Sequence, residues 1–475
     1  MGRQRIWYKG AAIAVVIFVM LLTMNDGFAQ TGDLQKKDDI QKAGLDACLE
    51  QALENNRRRP ASQFALEMAQ AQHRQTLAGY WPQITARGGY TRLDEAVNFN
   101  LATQFSISGL APVPIDIPVD ADVEILVEKS YTAEIEATWL LYDGGMRKGY
   151  REQTQGLMDM MKQEVRRTDL EVIDDVKRYY WGAVLARKLH RVGLDTLSRM
   201  NATLNLTETM YKEGAGTVKK TDWLNNKVMV DTLRSMVALL EKNKLMSRAA
   251  LANTMGLSWD KSVEPDDTKI PLSSFVIDTG EIVEQAYAFN PDWSKVEAGL
   301  NAAEGALKTA KSGFFPKLAL TGELHKWWPD EDGGLATPEN KQGWSFGVGV
   351  EIPIFSGMLT VNKIAAAKAA IAKIKEEQLL LKEGIGLQIR DVLLSLGAAQ
   401  ISCDASGNAL TAAEENRKLN VRAYQSELVE TDDVIQAQLT EALMAAQHYK
   451  ARYEHTALLS RLDLIVGTEV LKQME

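Results

Sequence analysis

The chain has 475 residues, 45% of them hydrophobic and 25% charged, with a formal net charge of −9. That composition suits a folded protein of one to three domains rather than a disordered one. The acidic balance argues against a nucleic-acid partner, because a phosphate-binding surface has to be basic.

Residues 1–29 stand apart. Arg3, Arg5 and Lys9 precede an apolar run from Ala11 to Leu22, and Gly27 and Ala29 put small residues before a cut. This is the pattern of a secretory signal peptide, and the run is too short to span a bilayer. Its removal takes away three basic residues and Asp26, leaving a net charge of about −11. No later window holds ~18 consecutive apolar residues, so no transmembrane helix is expected. Cys48 and Cys403 are the two cysteines. A disulfide is open to an exported protein, but two cysteines so far apart make no framework, and two buried free thiols are the favoured reading.

From here the chain is written twice, over residues 30–268 and 269–475. After an opening helical stretch, "GYWPQITARGGY" at Gly79 answers "GFFPKLALTGEL" at Gly313, with Pro82 and Pro316 234 residues apart. "QALENNRRR" at Gln51 answers "QAYAFNPDW" at Gln285 at the same offset. "LLYDGGM" at Leu140 answers "PIFSGML" at Pro353, and "TVKKTDWLNN" at Thr217 answers "LVETDDVIQA" at Leu428, at offsets of 213 and 211. Duplication over such a length points to a repeated structural unit rather than a short solenoid.

Each proline marks a helix stopping and a strand beginning, since proline cannot continue a helix but tolerates a strand's first position. Period-two alternation then predicts strands at about 82–101, 124–142, 316–328 and 343–355. Thr103–Val123 and Pro329–Gly343 read as loops between them. Gly144-Gly145 and Gly357 turn the chain back to helix, with Asp143 and Ser356 placed as N-caps. The twelve prolines all lie at or before Pro118 or between Pro265 and Pro353. The proline-free stretches therefore have room for long helical hairpins, predicted over 146–256 and 359–467. A helix of some 65 residues is a rod of ~100 Å.

Four strands with one apolar and one polar face fit either a half-buried soluble sheet or a membrane barrel. Export, barrel-like strand lengths and aromatics near strand ends (Tyr80, Trp81, Trp327, Trp328, Trp344) favour the barrel. Four strands cannot close alone, and an open edge is not tolerated in lipid, so several chains have to share one barrel.

The duplicated helix–strand–strand–helix order, with "YDGG" and "FSG" turns and "TDW" and "TDDV" at the hairpins, resembles the TolC-like outer-membrane efflux protein family. The resemblance runs from about Leu45 to Val470. It implies an α+β membrane protein, a homotrimer whose 12-stranded β-barrel sits in outer-membrane lipid and continues as a 12-helix tunnel through the periplasm. It further implies an export channel that docks a periplasmic adaptor protein and an inner-membrane transporter, in efflux or type I secretion. It also implies a periplasmic gate at the hairpin tips. Asp433 matches a ring aspartate, and Tyr424 and Asp222 match a tyrosine–aspartate tether. Departures from the family pattern are Gln436 at the next acidic position, Val429 at an arginine tether and Glu427 at the hairpin glycine. Read from the residues alone, Asp222 and Asp433 fit helix N-capping equally well.

Nothing in the sequence calls for catalysis, a cofactor or a metal. "GAGTVKKT" at Gly214 lacks the glycine that precedes a P-loop lysine. His448 and His455 lack zinc spacing, and "DEDGG" at Asp330 lacks the EF-hand pattern. The competing class is an exported structural or adhesive coiled-coil protein without a pore. It accounts for the helices but not for strands that interrupt each half in the same place.

Overall fold

A computed structural model describes residues 40–107, 115–214, 218–273, 278–329 and 341–468. The expected signal peptide lies outside the described residues. The first half runs β1 (Ile40–Ala43), α1 (Leu45–Asn55), α2 (Arg58–Ala78), β2 (Gln83–Arg92), β3 (Val97–Ile107), β4 (Ile115–Leu126), β5 (Lys129–Tyr142), α3 (Met146–Lys212), α4 (Lys220–Thr254) and β6 (Ser262–Pro265). The second half runs α5 (Thr279–Phe289), α6 (Pro291–Ser312), β7 (Lys317–Pro329), β8 (Gln342–Glu351), α7 (Leu359–Gln425) and α8 (Thr431–Val466). None of the described helices is long and apolar enough to cross a membrane.

The chain packs as two compact units, and each draws on both halves of the sequence. Of the described residues, the first comprises those from Ile40 to Gln63, Gln163–Ser294 and those from Leu380 to Thr468. Within it Cys48, Ala52, Val172, Val176, Leu251 and Met255 form one buried core. Ile282, Ala286, Ile385, Ile389, Leu462 and Val466 form another. The second set is the first advanced by 234, 213 and 211 positions for its successive pairs, the same three offsets that the duplicated phrases carry. Both cysteines are free and buried. Burial, followed by the nearby Asp266 carboxylate, pushes the Cys48 thiol up to about 11.

The second unit comprises Phe64–Lys162 and Lys295–Leu379. It holds an antiparallel sheet of four strands in the order β2-β5-β7-β8. The register stacks Ala86, Ile135, Leu324 and Trp344 on one face, with Leu320 and Val348 further along it. The opposite face stacks Arg87, Glu134 and His325, with Glu136, Glu323 and Ser345 beside them. Arg87 lies 3.0 Å from Glu136 and 3.5 Å from Glu134 on that polar face. Among the described residues nothing covers the apolar face: Ile84, Phe346 and Val348 are all more than half exposed.

At one end of the sheet the chain returns to helix. Asp143 accepts hydrogen bonds from the amides of Gly145 (3.0 Å) and Arg147 (2.8 Å) and pairs with the Arg147 guanidinium, so it caps α3 as expected. Gly144 and Gly145 both take positive φ, and a Cβ on Gly144 would sit 2.4 Å from Cβ of Phe315. Next to this turn α3 and α6 approach through small residues, where a Cβ on Gly156 would lie 2.7 Å from the backbone of Ala298 and Ala302.

The strand expectation needs one correction. The first predicted strand, 82–101, ends at Arg92, and much of the expected Thr103–Val123 loop is itself strand. β3 and β4 pair antiparallel, with Phe99 opposite Val123 and Ile107 opposite Ile115, as a two-stranded ribbon apart from the sheet. Its source is legible afterwards in "IDIPVDADVEIL", where apolar and acidic residues alternate as a strand requires. The prolines there had suggested a loop, but Pro118 sits in a two-stranded ribbon, where an edge position needs no N–H donor.

Candidate functional site at the helical hairpin tips

In the first unit the long helices reverse at two tips. One joins α3 to α4 and the other joins α7 to α8. Each returning helix starts on an acidic residue three positions after its N-cap. Asp222 accepts a hydrogen bond from the Lys219 amide (2.9 Å), and Asp433 accepts one from the Glu430 amide (3.1 Å). A carboxylate there satisfies an orphan N–H and faces the positive end of the helix dipole. Both predicted gate aspartates are thus capping residues, whatever else they do.

Tyr424 stands elsewhere. It is buried in the last turn of α7, and its hydroxyl lies 2.8 Å from Thr207 Oγ1 and 3.0 Å from Thr431 Oγ1. Within one chain its partners are therefore threonines of α3 and α8 rather than Asp222. Asn226 of α4 adds a further bond to Thr207 (3.4 Å). Two turns further from the tip, Gln438 donates to Thr203 Oγ1 at 3.0 Å. These threonines and amides were not singled out by sequence reasoning. The signal was a period: Thr431 and Gln438 are seven apart on α8, and Thr196 and Thr203 seven apart on α3, each inside an otherwise apolar stripe.

The two tips share an electrostatic field. Burial, then the carboxylates of Asp433, Glu430 and Asp222, push the Asp432 carboxyl above its ordinary range. The residue is exposed overall, so solvent screens much of this crowding, but the influence of Asp222 ties the α4 tip to the α8 tip. Asp432, which sequence reasoning passed over in favour of Asp433, is thus a carboxylate whose titration its setting raises.

The turns differ in quality. Gly214 ends α3 with φ 78°, and Glu427 ends α7 with φ 57° at the position 213 residues later. Leu428 follows with its side chain 77% exposed. An L-residue other than glycine in this region carries steric strain, so the departure noted at Glu427 has a conformational cost.

With helices, strands and tips in this duplicated order, the comparison with known proteins is decisive. The profile of the family described as outer membrane efflux protein matches residues 48–257 and 282–468. The chain belongs to the outer membrane efflux protein family. Nodulation protein T of Rhizobium leguminosarum bv. trifolii is 22% identical over 340 residues, 71% of each chain. The cation efflux system protein CusC of Escherichia coli (strain K12) is 21% identical over 365 residues, 74% of this chain and 71% of that one. Among solved structures, the Campylobacter jejuni CmeC outer membrane channel superposes with a TM-score of 0.72 at 14% identity, covering 95% of this chain and 97% of that one. This outer membrane efflux protein accordingly has the α+β channel fold expected of it, and its place is the outer membrane. The Campylobacter jejuni relative is an outer membrane channel, and the reading as an exported coiled-coil protein without a pore is set aside.

Proposed function

We propose that three copies of this chain close one barrel and one helical tunnel, which passively conducts substrate out of the cell. The observation that carries this reading is the sheet. Its apolar face is exposed from β2 to β8, and the outer edges of those two strands pair with no other described strand. In lipid an open edge leaves backbone groups unsatisfied at several kcal/mol each, so the edges have to meet other copies. Three sheets of four strands make twelve, above the roughly eight that a barrel needs to close. The helices support the same count. Leu380, Leu387, Leu394 and Ile401 recur every seven residues along α7, all about 70% exposed, and such a heptad seam asks for a partner helix.

A periplasmic adaptor and an inner-membrane transporter deliver the substrate in this reading. Relatives named for nodulation, cation efflux and pyoverdine export support the view that the transporter, not the channel, selects what is carried. Asp433, Asp222 and Tyr424 lie at or beside the hairpin tips and form the periplasmic gate. The test is the mass of the detergent-solubilised protein, together with its conductance in planar bilayers. A trimer with a discrete conductance is expected, and a stable monomer without one overturns the proposal.

A further inference from the structure

Near the tips the first unit changes character. Its packing there is an apolar patch of Met200, Val230, Leu233 and Ile435, with Met229 and Met236 beside it. Methionine is flexible and adapts to many neighbours, so such a patch does little to fix how far one helix has slid along another. Ridges repeat each turn, and a slip of one turn, about 5 Å, would recover much of the same contact.

Against this background one buried carboxylate stands out. Glu441 of α8 forms an ion pair with Arg417 of α7 and lies 3.7 Å from the guanidinium of Arg199 on α3. Only 11% of its side chain is exposed. One turn nearer the tip, Gln438 is bonded to Thr203, and the Thr203 hydroxyl itself donates to the Arg199 carbonyl (3.2 Å). A slip of the α7–α8 hairpin by one turn against α3 would keep Glu441 with Arg417, which lies on the same hairpin, but would carry the pair away from Arg199 and part Gln438 from Thr203 and Tyr424 from Thr207. Breaking a largely buried charge contact is costly, whereas a well-packed apolar replacement of such groups is often neutral or stabilising. A device of this kind contributes specificity rather than stability, as a single polar core residue does in coiled coils.

We propose that Glu441 is a positioning residue: paired with Arg417 and Arg199, it fixes the register of the α7–α8 hairpin against α3 and so sets where the acidic tips stand. This needs only the pairing of helices within one chain and does not rest on conduction, so it can fail while the channel reading stands, and the reverse.

The test is a distance. Spin labels at Glu213 and Ser426, both exposed beside the two tips, are placed in a full-length chain carrying Cys48→Ala and Cys403→Ala, diluted with unlabelled chain. One narrow distance is expected, and Glu441→Asp, which keeps the charge, should retain it. Glu441→Leu with Arg417→Leu and Arg199→Leu should melt at the same or a higher temperature, yet show a second distance displaced by about one helical turn, ~5 Å. Should that triple variant not fold, Glu441→Gln alone serves, with the same second population expected. A single unshifted distance in the folded triple variant, or in Glu441→Gln if the triple is lost, overturns the proposal.

Discussion

Asn56 and Asn290, 234 residues apart, perform the same act in the two halves of the chain. Each follows the first helix of its half and donates its side-chain amide to a carbonyl in the last turn of that half's final helix, Thr254 at 2.8 Å and Ile465 at 2.7 Å. Each also accepts at Oδ1 from the chain ahead, Asn56 from the Arg58 amide and Asn290 from those of Asp292 and Trp293. The glycines that close these helices complete the match. A Cβ on Gly256 would meet the Asn55 carbonyl at 2.3 Å, and one on Gly467 would meet that of Phe289 at 2.3 Å.

Removing either asparagine should therefore be costly. Asn56→Ala or Asn290→Ala leaves a buried carbonyl and a backbone amide without their partners, worth about 1–3 kcal/mol. The neighbouring Asn55→Ala removes only an exposed bond to Gln51 and should stay within about 0.5 kcal/mol of the parent. Denaturant midpoints of the three variants in detergent decide it, and equal midpoints for Asn55→Ala and Asn56→Ala would count against the clamp.

Backbone strain gives a prediction of opposite sign. Met358 (φ 65°) follows Gly357 where Gly145 follows Gly144, and Glu427 (φ 57°) stands where the first tip has Gly214. Glu427→Gly and Met358→Gly should each raise stability by about 1 kcal/mol, since glycine reaches this conformation without the Cβ clash. Gly256→Ala, into a left-handed position with no room, should lower it. A thermal scan that finds Glu427→Gly neutral or worse means that the side chain earns its place by a contact outside the single chain.

How much of this was legible depended on the range of the forces involved. Period and punctuation are local, so the Pro82 and Pro316 boundaries, the capping by Asp143 and the long helices could be read directly. The paired cores were implicit in the duplication, because Val172 and Ile385, or Met255 and Val466, differ by the very offsets of the repeated phrases. The β3–β4 ribbon was missed because prolines outweighed alternation. Resemblance matches Tyr424 and Asp222 to a tether between neighbouring hairpins; within one chain the Tyr424 hydroxyl reaches Thr207 and Thr431, since a buried hydroxyl takes whichever acceptor the packing brings to it. The Glu441 pairs join residues 24 and 242 positions apart, and no local pattern announces them.

The strand register supplies a comparison between neighbours. Ile135 lies across from Ala86 and Leu324 on the apolar face, and Glu134 across from Arg87 and His325 on the polar one. Ile135→Arg should impair assembly into the outer membrane, at about 2–4 kcal/mol for a mid-bilayer position, while Glu134→Arg should be tolerated. Yields of the two variants in outer-membrane fractions are the measurement, and equal yields would show that the faces are reversed or unused.

Asp432 makes the tips sensitive to acid. Its folded pKa is raised, so its protonated form suits the fold; the stabilisation is fully present below the unfolded value and is lost as pH rises through the folded one. At neutral pH the charge works against the tip, and Asp432→Asn should stabilise it. The gain should shrink on acidification and vanish below the ordinary aspartate range, where the parent is protonated too. Solvent screening at this exposed position keeps the effect small. Hydrogen exchange at the start of α8, followed with pH, would expose an error if Asp432→Asn protected no better than the parent at neutral pH.

The gate itself yields the last prediction. In the trimeric reading three Asp433 side chains ring the narrow periplasmic end, where like charges in a confined pore attract and hold cations. Asp433→Ala should lower cation selectivity and weaken block by multivalent cations in single-channel recordings. It also removes the bond to the Glu430 amide, so Asp433→Asn, which can still accept that bond, separates charge from cap: selectivity should fall in both variants and tip stability mainly in the alanine one. Tyr424→Phe breaks the links to Thr207 and Thr431, worth about 1 kcal/mol each, and should raise the resting conductance. Asp222→Ala should loosen the α4 cap and act in the same direction. Val429, in place of a charged tether, leaves the closed state resting on these neutral bonds and on packing, so salt should change the resting conductance of Tyr424→Phe little. Selectivity and block that stay unchanged in both Asp433 variants would put the constriction elsewhere along the tunnel.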